Sequence, residues 1–413
     1  MKKIIFFTVF LYLIGFGIII PILPLLGEEL GGNATQVGLL MSIFSLMQFV
    51  FAPMWGFFSD KHGRRPILVG CLLGEALTYI WFAFSRDYYS LFFARLLAGF
   101  FGASLSTASA YISDITPPEE RSKGMAIIGA AFGLGFVIGP ALGGALIQLG
   151  HVLYPDTPIM GSTIASLFVS ILCFITFIFA YFKLPESLPI EKRNNSHDNK
   201  LFSKDKNKPN RILLVFSKLK IPVLNTLIIS FFCNTFAMAS MEATLVLYVG
   251  KKFGWTFEKV SYGFAYIGII MIITQGFLVR RFISKIGERL MASMGLSLFS
   301  LGMLLIALAN SIEFLAVAMT FLALGNGLSN PSLMGSISLA SPSTEQGVNL
   351  GVTQSISALG RIVGPIFGSL LYQNVSEPSP FLFAAILGGI GLAIIFFNFS
   401  KLPNSALKKN YNT

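Results

Sequence analysis

The chain has 413 residues, 54% of them hydrophobic and only 12% charged, with a mean hydropathy of +0.73 and a net charge of +11. A soluble globular domain carries about 25% charged residues, so the composition excludes one. The positive charge is no nucleic-acid footprint either, because the lysines and arginines gather in alternate loops between apolar runs, as the positive-inside rule requires.

Apolar runs of about 18 residues or more read as membrane spans. Twelve are predicted, at 4–26, 36–58, 66–85, 89–113, 122–149, 161–183, 221–249, 260–280, 289–309, 312–338, 346–373 and 379–400. Met1, Lys2 and Lys3 precede the first run without a small-residue cleavage site, the pattern of an uncleaved first helix rather than a removed signal. An even number of spans puts both termini on one side. Loops on that side hold 24 lysines and arginines, and the opposite loops hold four, Arg86, Lys251, Lys252 and Lys259. Both termini are therefore expected in the cytoplasm.

Span 1 offers Tyr12 and Phe16 as cavity-lining candidates and has no acidic residue between Ile4 and Leu26. Between spans 2 and 3 stand Gly56, Asp60, Gly63, Arg64 and Arg65, spaced Gly-x3-Asp-x2-Gly-Arg-Arg. A short turn needs glycine, and the charges can tie neighbouring helix ends; an ordinary basic loop is the plain alternative. Span 3 carries Glu75, read first as a structural hydrogen-bonding group and second as a proton carrier. Span 4 carries Arg95 on a stripe with Gly99, Gly102 and Ser106, and Asp114 at its end. Arg95 either tunes nearby groups or snorkels to the outer surface.

Span 5 carries Gly135, Gly139, Pro140 and Gly143. Glycines four apart let helices approach closely, and the proline adds a bend. The segment 185–220 is polar, basic and Asn/Lys-rich, which reads as a linker. Span 7 carries Glu242 on a stripe with Met238 and Asn234, with Phe236 nearby. An ionisable group in a span is a functional hypothesis by default. Glu242 either trades a proton for substrate or makes a structural bond. Span 10 offers Asn326 and Asn330, four apart, as substrate contacts or helix glue. Span 11 adds Gln354, Ser357 and Arg361; Arg361 binds an anionic group or pairs with Glu242.

The chain repeats itself. Gly135, Gly139, Pro140 and Gly143 recur 225 residues later as Gly360, Gly364, Pro365 and Gly368. Internal repeats of membrane helices mark secondary transporters, with the site between the halves. No Gly-x4-Gly-Lys-Ser/Thr phosphate loop appears, which argues against ATP as the energy source. Cys71, Cys173 and Cys233 all lie in spans, and the three histidines read as loop residues, so no metal spacing emerges. No nucleophile with a base partner can be placed, so an enzyme is not expected.

At these residues the chain resembles the major facilitator superfamily, most closely its twelve-helix, tetracycline-efflux-like drug/proton antiporters. Gly56 to Arg65 looks like the loop 2–3 signature. Leu91, Arg95, Gly99 and Gly102 look like the helix 4 signature. Gly135, Gly139, Pro140 and Gly143 look like the helix 5 antiporter signature, and Gly15, Gly17 and Pro21 resemble helix 1. The resemblance implies an all-α membrane protein, with twelve transmembrane helices in two pseudo-symmetric six-helix bundles. These would be 1–184 and 221–413, joined by the linker 185–220. It assigns Asp60, Arg64 and Asp114 to an inner gate and Arg95 to proton coupling. The second half keeps a worn copy of the gate motif in Gly276, Arg280, Arg281, Gly287 and Arg289, without the Asp.

The expected function is proton-coupled export of a small amphipathic molecule or drug by alternating access in a bacterial cytoplasmic membrane. No cofactor beyond the proton gradient and no nucleic acid is implied, and the working unit is a monomer in the lipid bilayer. Span 1 lacks the acid that many drug/proton antiporters carry, which moves coupling toward Glu242. The alternatives are a uniporter or symporter for a specific metabolite, or a non-transporting sensor on the same fold.

Overall fold

The computed structural model describes residues 2–116, 121–157, 159–188, 221–342 and 346–402. Most of the predicted linker and the last residues of the chain lie outside them. The described residues form helices and connecting turns. They are α1 (Lys2–Glu29), α2 (Ala34–His62), α3 (Arg64–Ala83), α4 (Tyr88–Gly102), α5 (Leu105–Asp114), α6 (Arg121–Leu153) and α7 (Ile159–Lys183). After the linker come α8 (Pro222–Phe253), α9 (Phe257–Ile273), a π-helical turn (Thr274–Val279), α10 (Arg280–Ile286), α11 (Glu288–Leu308), α12 (Ile312–Ala340), α13 (Gln346–Asn374) and α14 (Ser379–Phe397).

Among the described residues, eleven helical stretches are long and apolar enough to cross a membrane, and α6 contributes the shorter apolar piece Val137–Leu153. Two predicted spans are not uniform. Span 4 breaks into α4 and α5 at Ala103 and Ser104. Span 8 passes through the π-helical turn, a distortion frequent at functional sites.

The turns follow local chemistry. Asn33 and Gln36 form a reciprocal capping box at the start of α2, at 2.9 and 2.8 Å. Asp87 caps α4 through the Ser90 amide at 2.9 Å. Helix α2 runs through Lys61 and His62, so most of the predicted loop motif is helical. The turn shrinks to Gly63, at φ 104°, a conformation that favours glycine. Gly287, at φ 80°, makes the equivalent turn between α10 and α11. His62 and His151 also lie in last helical turns rather than in loops.

The chain divides into two compact units, Met1–Lys206 with Trp255–Ala265, and Asn207–Gly254 with Tyr266–Thr413. In the first unit α1 packs against α6 and α7, α3 against α7 and α4, and α2 against α4. Helix α1 is apolar on every side and is accordingly interior: Ile18, Ile22 and Leu23 join Phe82, Leu91 and Val169 in one core cluster. Ile5, Val9 and Leu13 join Leu68, Leu72 and Tyr111 in another. The start of α9 belongs to this unit and lies on α6, where Tyr262 donates to Gln148 at 3.3 Å and His151 Nδ1 meets Glu258 Oε1 at 2.6 Å. In the second unit α8 packs against α13 and α14, and α11 against α12 and α14.

The repeated glycines explain part of this packing. A Cβ on Gly139 would stand 2.7 Å from the Gly17 Cα, and one on Gly135 would stand 2.8 Å from Leu13, so α6 lies backbone to backbone on α1. A Cβ on Gly143 would reach the Ile18 backbone at 3.4 Å. In the second unit a Cβ on Gly364 would stand 2.8 Å from the Phe236 carbonyl, so α13 lies on α8 in the same way. Each ladder is filled by packing inside its own unit. Helices α6 and α13 continue through Pro140 and Pro365.

Candidate functional site

At one end of the first unit, Arg64 is the hub of a charged network. Its Nη1 lies 2.6 Å from Asp60 Oδ1 and donates to Ser59 Oγ at 2.7 Å, while its Nε donates to Asp114 Oδ2 at 3.1 Å. Arg64 is buried, whereas the Asp60 side chain is 43% exposed and that of Asp114 is 23% exposed. Arg65 donates through Nη2 to the Tyr181 carbonyl. The predicted gate residues Asp60, Arg64 and Asp114 therefore come together and tie α2, α3 and α5. Gly56 sits one turn before Asp60 with open space where a Cβ would project.

Sequence reasoning missed Glu186. Its two oxygens accept the backbone amides of Arg64, at 2.9 Å, and Arg65, at 3.2 Å. It thereby holds the exposed donors at the start of α3. Ser187 Oγ donates to Asp114 Oδ2 at 3.1 Å, and Tyr111 donates to the Pro185 carbonyl at 2.7 Å. The start of the linker thus closes the network. The only signal in the sequence was a lone carboxylate after Pro185.

Deeper in the same unit, Arg95 does not snorkel. It is 4% exposed, and its guanidinium lies over the Phe44 ring at 4.3 Å, a cation–π contact. Half-buried Phe16 stacks on the same Phe44 ring, at 5.3 Å between centroids. Tyr12 is half-buried. Its hydroxyl lies beside Gly102 with Glu75 Oε1 and Gln48 Nε2.

In the second unit, half-buried Glu242 on α8 and exposed Arg361 on α13 act on each other electrostatically. Arg361 Nη1 donates to Ser357 Oγ at 3.2 Å. Gln354 is exposed on the same helix, and Met238 and Asn330 are half-buried. Asn234 and Asn326 are hydrogen-bonded to each other. Asn234 Nδ2 donates to Asn326 Oδ1 at 3.1 Å, and Ser329 Oγ donates to Asn234 Oδ1 at 3.4 Å, all buried. They hold α8 to α12. Phe236 is 9% exposed and sits in an aromatic cluster with Phe232, Phe367 and Phe383. The bulk that suggested a cavity wall fills the core beside the α13 glycines instead. Among the described residues no group of His, Cys, Asp and Glu side chains could hold a metal ion.

Comparison with known proteins places this geometry. The model of the Major Facilitator Superfamily matches residues 5–282 and 276–410. The chain is 31% identical over 364 residues to the class H tetracycline resistance protein of Pasteurella multocida, covering 87% of this chain and 86% of that one. It is 31% identical over 346 residues to human major facilitator superfamily domain-containing protein 10, covering 81% and 72%. The crystal structure of that protein, the human organic anion transporter MFSD10 (TETRAN), superposes with a TM-score of 0.69 at 25% identity, covering 95% of this chain and 98% of that one. With its apolar helices, repeated glycine ladders and charged turn between α2 and α3, this chain is an integral membrane protein and belongs to the major facilitator superfamily of transporters.

Proposed function

We propose that this transporter exports a small amphipathic organic molecule across a bacterial cytoplasmic membrane in exchange for protons. It works as a monomer by alternating access, with both termini in the cytoplasm. The observation that carries the reading is a carboxyl and a guanidinium in the spans of the second unit, Glu242 on α8 and Arg361 on α13, near enough for their charges to interact. A carboxyl at membrane depth is costly as a bare charge and marks a functional position. In this reading proton binding to Glu242 and substrate binding beside Arg361 are linked. Asp60, Arg64 and Asp114 form the inner gate, and Arg95 supports coupling from the first unit. Likeness to the tetracycline resistance protein supports export of a drug-like compound.

A second reading has its own support. Arg361 is exposed, and a guanidinium suits a carboxylate or other anionic group. The human relative is an organic anion transporter. The substrate would then be an organic anion, carried by uniport or symport.

The test is proton movement in inside-out vesicles with an acid interior. A panel of drugs including tetracycline, sugars, chelators and organic anions is added to wild type and to Glu242→Gln. Proton release triggered by one compound in wild type alone supports antiport. Substrate entry without proton movement sinks antiport and favours the carrier reading.

A further inference from the structure

One buried acid is left without a task by the reading above. Glu75 on α3 is 1% exposed. Neither carboxylate oxygen has a hydrogen-bond partner of ordinary geometry among the described residues, although the Tyr12 hydroxyl is close enough to interact. An ionisable group held this way in a span is costly.

The surroundings form a built site. Three polar groups from three helices converge on Gly102. A Cβ there would stand 2.8 Å from the Tyr12 hydroxyl, 3.1 Å from Glu75 Oε1 and 3.2 Å from Gln48 Nε2. Gln48 Nε2 also donates to the Gly102 carbonyl at 3.3 Å. Gly102 is the last residue of α4, and the regular helix relaxes over Ala103 and Ser104, both still right-handed, before α5 begins. The convergence of these polar groups and the unpartnered acid are found at one place.

The titratable groups around Glu75 are Tyr12 from α1, Cys173 from α7, and Cys71 and Tyr79 from α3 itself. Arg95 from α4 acts on the two tyrosines. Helix α2 contributes uncharged Gln48. The titratable groups of α5, Tyr111 and Asp114, are engaged at the other end of the span with Pro185 and Arg64.

We infer that Glu75, with Tyr12 and Gln48 beside Gly102, is a proton-binding site of the first unit that loads and unloads during transport. The step is the binding of one proton to the carboxylate to give the neutral acid, and its release. The inference rests on the antiport reading for its role in transport, but the proton site can be tested without a substrate.

The experiment is infrared difference spectroscopy of the full chain in lipid vesicles as pH is raised, for wild type, Glu75→Gln, Glu75→Asp and Gly102→Ala. Wild type should show an acid C=O band that fades with rising pH. The band should be missing in Glu75→Gln, displaced in Glu75→Asp, and altered in Gly102→Ala, whose methyl group crowds the site. A Glu75 band that never titrates, or one that responds to sodium at fixed pH, overturns the inference. Proton release in inside-out vesicles then separates the two readings. Release in wild type that persists undiminished in Glu75→Gln removes Glu75 from transport while antiport stands. A titrating Glu75 band without substrate-triggered release in wild type removes antiport while the proton site stands.

Discussion

Arg64 donates from Nε to Asp114 Oδ2 at 3.1 Å, joining the first residue of α3 to the last residue of α5. The same side chain meets Asp60 at 2.6 Å, but Asp60 is the more exposed of the two acids. Solvent screening weakens exposed pairs, so the two acids are not equivalent. Asp114→Asn should slow turnover more than Asp60→Asn, each by several-fold, with substrate binding retained. Initial export rates and ligand affinity in vesicles check this; equal rates for both variants and wild type would remove the gate.

Glu242→Gln keeps the shape of the side chain but cannot take up a negative charge. Uphill export should be lost, while counterflow exchange of labelled substrate continues. If this variant still concentrates substrate against a gradient, Glu242 is not a coupling residue.

The Asn234–Asn326 contact is a buried bond between α8 and α12. Such bonds between membrane helices contribute about 0.6 kcal/mol on average. A double-mutant cycle with alanine, followed by unfolding in detergent, should return a coupling of about that size with transport largely preserved. Selective loss of substrate affinity, with unchanged stability, would instead make these amides substrate contacts.

Glycines of the signature motifs differ sharply in what they tolerate. A Cβ on Gly139 collides with the Gly17 backbone, whereas one on Gly56 meets nothing within 4 Å. Gly139→Ala should destabilise the protein by about 1–3 kcal/mol. Gly56→Ala should be neutral or slightly stabilising, since alanine is the better helix former by roughly 0.5–1 kcal/mol. Melting in detergent separates the cases. A folded but inactive Gly56→Ala would show that this glycine serves a different conformational state.

Much of the architecture was legible because bilayer depth acts on whole segments. The charged turn of Asp60, Arg64 and Arg65 was legible through its joint spacing. Local departures were not. The break at Gly102 follows a glycine and serine stripe that also reads as a continuous small-residue face. The extension of α2 through Lys61 was hidden because polar residues near a span end look like loop. Phe236 shows the limit for aromatics: burial in a core and exposure to a cavity demand the same side chain. Glu186 lies outside any periodic pattern, and only the fold brings it to the first turn of α3.

The burial of Glu75 and Arg95 in consecutive spans also bears on biogenesis. An arginine in a lone helix raises the cost of membrane insertion, by up to roughly 2.5–3.5 kcal/mol at the helix centre, and Arg95 lies about two turns inside its span. The span holding Arg95 is thus a poor solitary inserter. Its companions, Tyr79 on the preceding helix and Phe44 on α2, emerge from the ribosome first. We therefore expect the nascent chain to retain this span beside its predecessors rather than release it into lipid alone. Glycosylation mapping of chains carrying the span with and without α2 and α3 reads this directly; equal insertion in both would show that the arginine is accommodated without them.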